Sequence, residues 1–459
     1  MTTTIAERIV PSDGRHERRR PAVVLITAMF GFFLVGLDAS AVNVALPAIG
    51  TAFGSGTAGL QWIVDAYTLM FAVWLLSAGA LGDRLGADRV YRFGVIGFTA
   101  ASAACALAPG LGLLVAARLV QGTAAAVMLP SSLALIRQSY SDTHERARAI
   151  ALWTVAGAVA TAAGPVAGGA LTTLSWRWIF VINLPVGVLT LVVLAHGLAS
   201  PRRPAALDPA GQVSAAVALA ALTFGVIEGG SGGFGRPAVL GCLALAGLAF
   251  SGFLLIESRV TEPMLPLSLF GSRAVNLCLA IGFAINAVFY GVIFLFSLFF
   301  QRILHDSPVH AGLMFLPMTL LITVSNVLSA RVATRYGARV PITIGLLICL
   351  GGIVTLLGAG PGAPELVIAL LLVPMGAGLG FVVPSLTASL LSDIAAERAG
   401  LAAGVLNSAR QTGGALSVAT FGALAGGSFA AGLHRGIVVS AVLLGGAIVA
   451  ALALPRAAA

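Results

Sequence analysis

The chain has 459 residues, 58 % of them hydrophobic and only 9 % charged, with a mean hydropathy of +1.01. Its formal net charge of +9 comes from 26 basic residues, every one an arginine, set against 17 acidic ones. So apolar a composition excludes a soluble globular domain, whose core is closed by polar faces, and the absence of lysine excludes a phosphate-binding loop for ATP, which needs Gly-x-x-x-x-Gly-Lys.

A helix crosses a hydrocarbon core about 30 Å thick with roughly 20 apolar residues. The sequence predicts about fourteen such segments, at 22–46, 60–80, 92–109, 111–136, 148–171, 176–198, 210–228, 237–256, 273–300, 309–330, 340–359, 364–391, 399–424 and 435–454. The polar tail before them ends in Arg18-Arg19-Arg20, and the first apolar run is too long for a signal-peptide core, so it is expected to stay as a helix. With the tail inside, about twenty of the 26 arginines fall on the inner side, among them Arg84, Arg89, Arg137, Arg202, Arg203 and Arg335. That asymmetry predicts a multi-pass protein of a cytoplasmic membrane with both termini inside. It also assigns the basic charge to the bilayer rather than to nucleic acid.

Taken in chain order, the polar residues inside these segments are few. Span 1 carries Leu37-Asp38-Ala39-Ser40-Ala41-Val42-Asn43, and the helical rise puts Asp38 roughly 12 Å below the outer surface. A charge in the membrane interior costs at least roughly 2.5–3.5 kcal/mol and is a functional hypothesis by default. Two readings stand: a carboxyl that binds and releases a proton, or a helix-packing carboxylate bonded to Asn43 or to a neighbouring span. Span 2 carries Asp65, about 8 Å deep, which either shares protons with Asp38 or faces the outer vestibule. It ends in Gly79-Ala80-Leu81-Gly82-Asp83-Arg84-Leu85-Gly86, where glycines permit a tight turn and Asp83 can bond a facing helix N-terminus. Span 4 holds Arg118-Leu119-Val120-Gln121-Gly122, with Arg118 about 10 Å from the outer end and so level with Asp38. A static ion pair between the two is one reading of that match. In span 5, Gly157 precedes Gly164-Pro165-Val166-Ala167-Gly168-Gly169; the proline removes a helix hydrogen bond and the glycines admit another backbone, which makes a bendable contact.

Spans 7 and 8 are joined by Gly229-Gly230-Ser231-Gly232-Gly233 and carry no evident chemistry. Span 9 offers an aromatic and amide surface in Asn286, Tyr290 and Phe294, candidates for lining a substrate cavity together with Asn43 and Gln121. Span 13 places Arg410-Gln411 close to mid-membrane, as cavity residues or as an inter-helix hydrogen-bond anchor. The four cysteines stand singly in apolar segments and the six histidines are dispersed, so neither a disulfide frame, a metal site nor a catalytic cluster is predicted.

The segments repeat. Asp83-Arg84-Leu85-Gly86-Ala87-Asp88-Arg89 is echoed by Thr334-Arg335-Tyr336-Gly337-Ala338-Arg339, Gly122 and Pro130-Ser131 by Gly376 and Pro384-Ser385, and Glu145-Arg146-Ala147 by Glu397-Arg398-Ala399, all at an offset of 251 to 254 residues. Three matches in one order imply two homologous six-span halves. The expected organisation is a tail over 1–21, an N-terminal bundle over 22–198, a linker with two inserted spans over 199–272, a C-terminal bundle over 273–454 and a short tail over 455–459. Leu372 takes the place equivalent to Arg118, which leaves the charged pair to the first half.

On these motifs the chain resembles the major facilitator superfamily, and within it the fourteen-span drug:proton antiporters. The resemblance implies an all-α polytopic fold of two six-helix bundles plus two inserted helices. It implies that the Gly79–Gly86 loop is a latch holding an outward-open state, although Ala87 and Asp88 stand where the pattern carries basic residues. It implies that Gly157, Gly164, Pro165, Gly168 and Gly169 form the motif associated with exporters, that spans 1 and 4 surround one cavity, and that Arg118 tunes proton transfer at Asp38.

The function expected is proton-coupled efflux of amphiphilic drugs or natural products by alternating access, with the proton gradient as energy source, no cofactor and a monomer as working unit. The close rival is a dedicated exporter of one endogenous metabolite or antibiotic. A membrane enzyme lacks a nucleophile–base pair here, and a non-transporting sensor lacks a signalling domain, the inner loop at about 257–272 being too short. With no acid in spans 10, 11, 12 and 14, neutral, monocationic or zwitterionic substrates are expected rather than dications.

Overall fold

Within hydrocarbon a backbone satisfies its own N–H and C=O groups most simply as a helix. The computed structural model, which describes residues 21–194, 200, 208–260, 263, 265–358, 364–392, 394, 399–425 and 428–455, contains helices and no strand among the described residues. The N-terminal part is α1 (Pro21–Phe53), α2 (Thr57–Leu85), α3 (Ala87–Leu107), α4 (Leu111–Ser139), α5 (Thr143–Leu174), α6 (Trp178–Val181) and α7 (Asn183–Leu194). Then come α8 (Pro209–Gly232) and α9 (Pro237–Glu257), followed by α10 (Arg273–Leu298), α11 (Pro308–Met314), α12 (Leu316–Tyr336), α13 (Arg339–Thr355), α14 (Glu365–Ser392), α15 (Ala399–Ala425) and α16 (Phe429–Leu452). All but Pro21 of the tail expected over 1–21, Arg202, Arg203, the echo at Glu397-Arg398 and residues 456–459 lie outside the described residues.

Twelve of the described helical stretches are long and apolar enough to cross a membrane. Each of the fourteen expected segments falls on helix, but two miss that mark. The segment expected at 176–198 is divided into α6 and α7, and α15 has the length but not the apolarity. Proline explains the division: the ring of Pro185 opposes the carbonyl of Val181, the last residue of α6. Pro317 does the same to Leu313 and divides the segment expected at 309–330 into α11 and α12.

The packing repeats as the sequence does. In the first part α1 packs on α5, α2 and α3 on α4, and α3 on α7; in the last part α10 packs on α15, α12 and α13 on α14, and α13 on α16. The glycines at repeat-equivalent positions do the same work. Gly86 (φ 95°) and Gly337 (φ 79°) each end a helix in the left-handed region. Gly122 lies against the backbone of Tyr67 and Gly376 against that of Met318, contacts that leave no room for a Cβ. The two parts meet along α2–α15 and along α5 with α11 and α12.

Successive crossings alternate between a near end, where α1 begins and α16 ends, and a far end. The bonds between the two parts run from mid-bundle to the far end among the described residues. Ser408 Oγ donates to Ala72 O (2.9 Å), Gln61 Nε2 to Ala419 O (2.5 Å) and Val418 O (3.0 Å), Ser297 Oγ to Asn43 O (2.6 Å) and Gln301 Nε2 to Val44 O (2.8 Å). The far end is thus closed. The inserted α8 lies over the α2–α15 seam: Gln212 bonds Ser77 and Val73 O of α2, Phe224 faces Trp62, and Gly230 abuts Ala423 of α15.

Candidate functional site

Asp38 sits at the centre of the N-terminal part, fully buried. Arg118 NH1 lies 2.5 Å from its Oδ2, and its Oδ1 accepts from Gln121 Nε2 (2.9 Å) and Asn183 Nδ2 (3.0 Å). Arg118 also donates to Gln121 Oε1 (2.8 Å) and through Nε to Ile63 O (3.1 Å), and its guanidinium stacks 4.3 Å from the centre of the Tyr67 ring. Ser102 Oγ accepts from Gln121 Nε2 (2.8 Å) and Asn183 Nδ2 (3.3 Å). Five helices, α1, α2, α3, α4 and α7, therefore meet on one ion pair. Such a pair is tolerable away from water when further hydrogen bonds satisfy its other groups, and here Asp38 Oδ1 accepts two and Arg118 donates to Gln121 Oε1 and Ile63 O.

Asn43 is not Asp38's partner, because its Nδ2 is spent on Ala39 O (3.0 Å) one turn back in its own helix. In this conformation, with the far end closed, Asp65 is fully buried and neither of its oxygens has a hydrogen-bond partner. A carboxylate without a partner is costly to bury. Nearby Tyr67 also carries an unbonded hydroxyl.

The other expected cavity residues divide. Gln121 belongs to the Asp38 network, Asn43 supplies the carbonyl that Ser297 binds, and Phe294 is 0 % exposed within the aromatic packing of α10, so none of the three lines open space in this conformation. Arg410, Gln411 and Tyr290 are half-buried and stand together. Arg410 Nε donates to Asn286 Oδ1 (3.2 Å) and NH1 to Asn407 Oδ1 (3.4 Å), while Asn286 Nδ2 donates to Gln411 Oε1 (3.3 Å).

The glycines of α5 serve two contacts. Gly157, Gly164 and Gly168 lie against Phe32, Ser40 and Ala41 of α1, whereas Gly169 abuts Pro308 and Val309 of α11 and the Pro165 carbonyl abuts Gly312. The motif thus joins α5 both to its own bundle and to the opposite one. At the near end Gly79, Asp83 and Arg84 are exposed, and neither Asp83 nor Arg84 has a partner among the described residues, so the expected latch is not engaged here. Gly86 turns the chain, and Asp88 beside it holds Ser200 by a pair of hydrogen bonds of 3.2 Å.

Sequence reasoning missed Asn183 and Ser102, since a single Asn or Ser in an apolar helix carries no spacing signal. It also missed a group at the far end, where Asp306, His310 and Glu365 bring ligand-type atoms within 4.8 Å of one another, His310 Nε2 lying 2.7 Å from Glu365 Oε2. Burial, and then the neighbouring Glu365, push the Asp306 carboxyl above the usual carboxylate range.

The sequence profile of the Major Facilitator Superfamily matches residues 28–418. The chain is 36 % identical over 415 residues to the tetracenomycin C resistance and export protein of Streptomyces glaucescens, covering 89 % of this chain and 76 % of that one. It is 35 % identical over 409 residues to the multidrug resistance protein Stp of Mycobacterium tuberculosis, covering 88 % and 76 % respectively. Among solved structures, the D-xylose-proton symporter superposes with a TM-score of 0.68 at 15 % identity, over 94 % of this chain and 97 % of that one.

Proposed function

We infer the function from one premise: the chain belongs to the Major Facilitator Superfamily. It is a multi-pass membrane transporter and not an enzyme, and its relatives are antibiotic and drug resistance efflux proteins. We propose that it exports amphiphilic drugs or natural products across the cytoplasmic membrane in exchange for protons, as a fourteen-span monomer with both termini inside and bundles at 22–198 and 273–454. Its energy source is the proton gradient alone, without a cofactor.

The observation that carries this reading is the buried Asp38–Arg118 pair. Protonating Asp38 removes the charge that holds Arg118, and the donors that now converge on the carboxylate from α4 and α7 lose their common acceptor. A proton arriving from the far side and leaving to the near side then has a means of biasing the two arrangements of the bundle. The α5–α11 glycine contact and the α2–α15 seam are the surfaces that part and close as the halves rock, and the Gly79–Gly86 loop engages when the near end closes. The test is substrate-driven proton flux in proteoliposomes, comparing wild type with Asp38→Asn over a panel of dyes and antibiotics. Proton movement with substrate in wild type and its loss in the variant are expected; substrate movement with no proton movement in wild type would make the protein a facilitator.

A second reading is favoured by a printed name: the Streptomyces glaucescens relative is a resistance and export protein for one antibiotic. A dedicated exporter would move a single member of the panel, whereas a multidrug exporter would move several of unrelated structure.

A further inference from the structure

The geometry points to Arg410 as the docking group for a negatively charged head on the transported amphiphile: an organic acid or a zwitterion presenting its carboxylate or an equivalent oxyanion. The inference rests on the export reading and narrows it.

Arg410 lies on α15 about 16 Å along the helix from its near-end start and about 22 Å from its far-end finish, hence in the middle of the membrane. A guanidinium has five N–H donors and carries its charge at every accessible pH. Two of those donors are used, on the neutral carbonyls of Asn286 and Asn407. The two ion pairs among the described residues are Asp38–Arg118 and His310–Glu365, and Arg410 is in neither. The helices α10, α11, α12, α13, α15 and α16 contain no Asp or Glu, and the one acid of α14, Glu365, is its first residue at the far end.

The N-terminal part supplies no counter-charge either. Asp38 is neutralised by Arg118. Asp65 stands off along the axis: Ala72 is bonded by Ser408 and Gln61 reaches Val418 and Ala419, which sets Asp65 level with the turn around Gly414 to Leu416, roughly 7 Å beyond Arg410. Among the described residues, Arg410 is therefore the cation at mid-membrane depth with no anion assigned to it, and the residue is half-buried. A cation at that depth is expensive until it is paired, and the planar fork fits a carboxylate through two parallel bonds. Tyr290, whose ring lies on Gly414 one turn further along α15, gives a flat surface for the apolar body of such a molecule. Dications are excluded by this charge as well as by the missing acids, and of the classes open to the sequence reading the zwitterion alone keeps a partner for Arg410.

Three xanthene dyes test this with one ring system: fluorescein, which is anionic; rhodamine B, a zwitterion through its carboxylate; and rhodamine 6G, a cation because that carboxyl is esterified. Purified full-length protein is reconstituted, dye flux is measured in wild type, Arg410→Gln and Arg410→Lys, and dye binding in detergent is followed by fluorescence anisotropy. Wild type is expected to move fluorescein and rhodamine B faster than rhodamine 6G. Arg410→Gln is expected to lose about tenfold or more in flux and affinity for the two carboxylate dyes, the loss of one charge-assisted contact, while rhodamine 6G changes little. Arg410→Lys, which keeps the charge, is expected to recover most of the loss. Preference of wild type for rhodamine 6G, or an equal fall for all three dyes in Arg410→Gln, overturns the assignment and makes Arg410 a helix-packing anchor. If wild type moves none of them and binds none, the assignment of Arg410 falls, while the export reading is decided separately by the panel of dyes and antibiotics.

Discussion

At the scale of single residues, the centre of the molecule is a charge that another charge makes tolerable. Asp38 and Arg118 are both about 1 % exposed, so removing either leaves the other buried and unpaired, at a cost of about 3–5 kcal/mol. Arg118→Gln and Asp38→Asn are each expected to lower the unfolding temperature in detergent strongly, and the double variant to be less destabilised than the sum of the two. If the single losses simply add, the two side chains are not energetically coupled. Asp306 of the far-end group behaves differently because it lies in the joint between two spans, after Ile303 and before Pro308. Folded, Asp306 is held by burial, and then by the neighbouring Glu365, to keep its proton to a higher pH than in the unfolded chain, with His310 opposing the effect, so this residue subtracts stability as pH rises above the unfolded value near 4. Asp306→Asn is therefore expected to be more stable than wild type at neutral pH, by about 1 kcal/mol or less. That gain should vanish as the pH falls toward about 4; a gain of constant size across the range would assign it to packing instead. The equal depth of Asp38 and Arg118 was readable from helical rise alone. Their other partners were not, because Asn183 comes from a helix more than 60 residues along the chain, and nothing in one sequence reports which face of α7 turns toward α1.

At the scale of elements, each expected segment falls on helix, twelve of the described stretches being long and apolar enough to span, and proline decided where the segments divide. The breaks at Val181–Asn183 and Met314–Leu316 follow from Pro185 and Pro317. Yet Pro165 and Pro384 lie inside unbroken helices, so a proline by itself does not reveal whether a helix stops or bends. What the sequence conveyed of α5 was a glycine face; what it withheld was the partner. Gly169 and the Pro165 carbonyl meet Pro308 and Gly312 of the opposite bundle with no room for a side chain. Gly312→Val should therefore hold α5 and α11 apart at the far end. Spin labels at Leu174 and Leu313, both exposed, report the separation by pulsed electron resonance. The variant is expected to shift the distribution to longer distances and to slow flux. An unchanged distribution would mean that the α5–α11 contact is not the closing surface.

At the scale of the whole molecule, the number of charges carried per cycle follows from which groups the two bundles hold. The repeat was legible in the sequence as three echoes at one offset, and it predicted two bundles of like packing. The sequence also leaves the charged pair to the first half, since Leu372 stands where Arg118 would repeat; what it did not show is that Arg410 of the second half has no ion-pair partner among the described residues, whereas Asp38 and Arg118 balance each other. That asymmetry has an energetic consequence. A proton moving inward against a monocation moving outward transfers no net charge, and against a neutral molecule it transfers one. Against a singly charged anion it transfers two, and each charge contributes about 2.3 kcal/mol per 100 mV. An exporter built around Asp38 and Arg410 thus gains about 4.6 kcal/mol per 100 mV for an acid, and half that for a zwitterion. In proteoliposomes with the potential set by valinomycin and potassium and the pH equal on both sides, flux of a singly anionic amphiphile is expected to rise with potential more steeply than flux of a zwitterion. Flux of a monocation should not respond. A potential-independent flux of the anion would leave proton exchange without its charge balance, and would count against Arg410 as the group that receives the substrate.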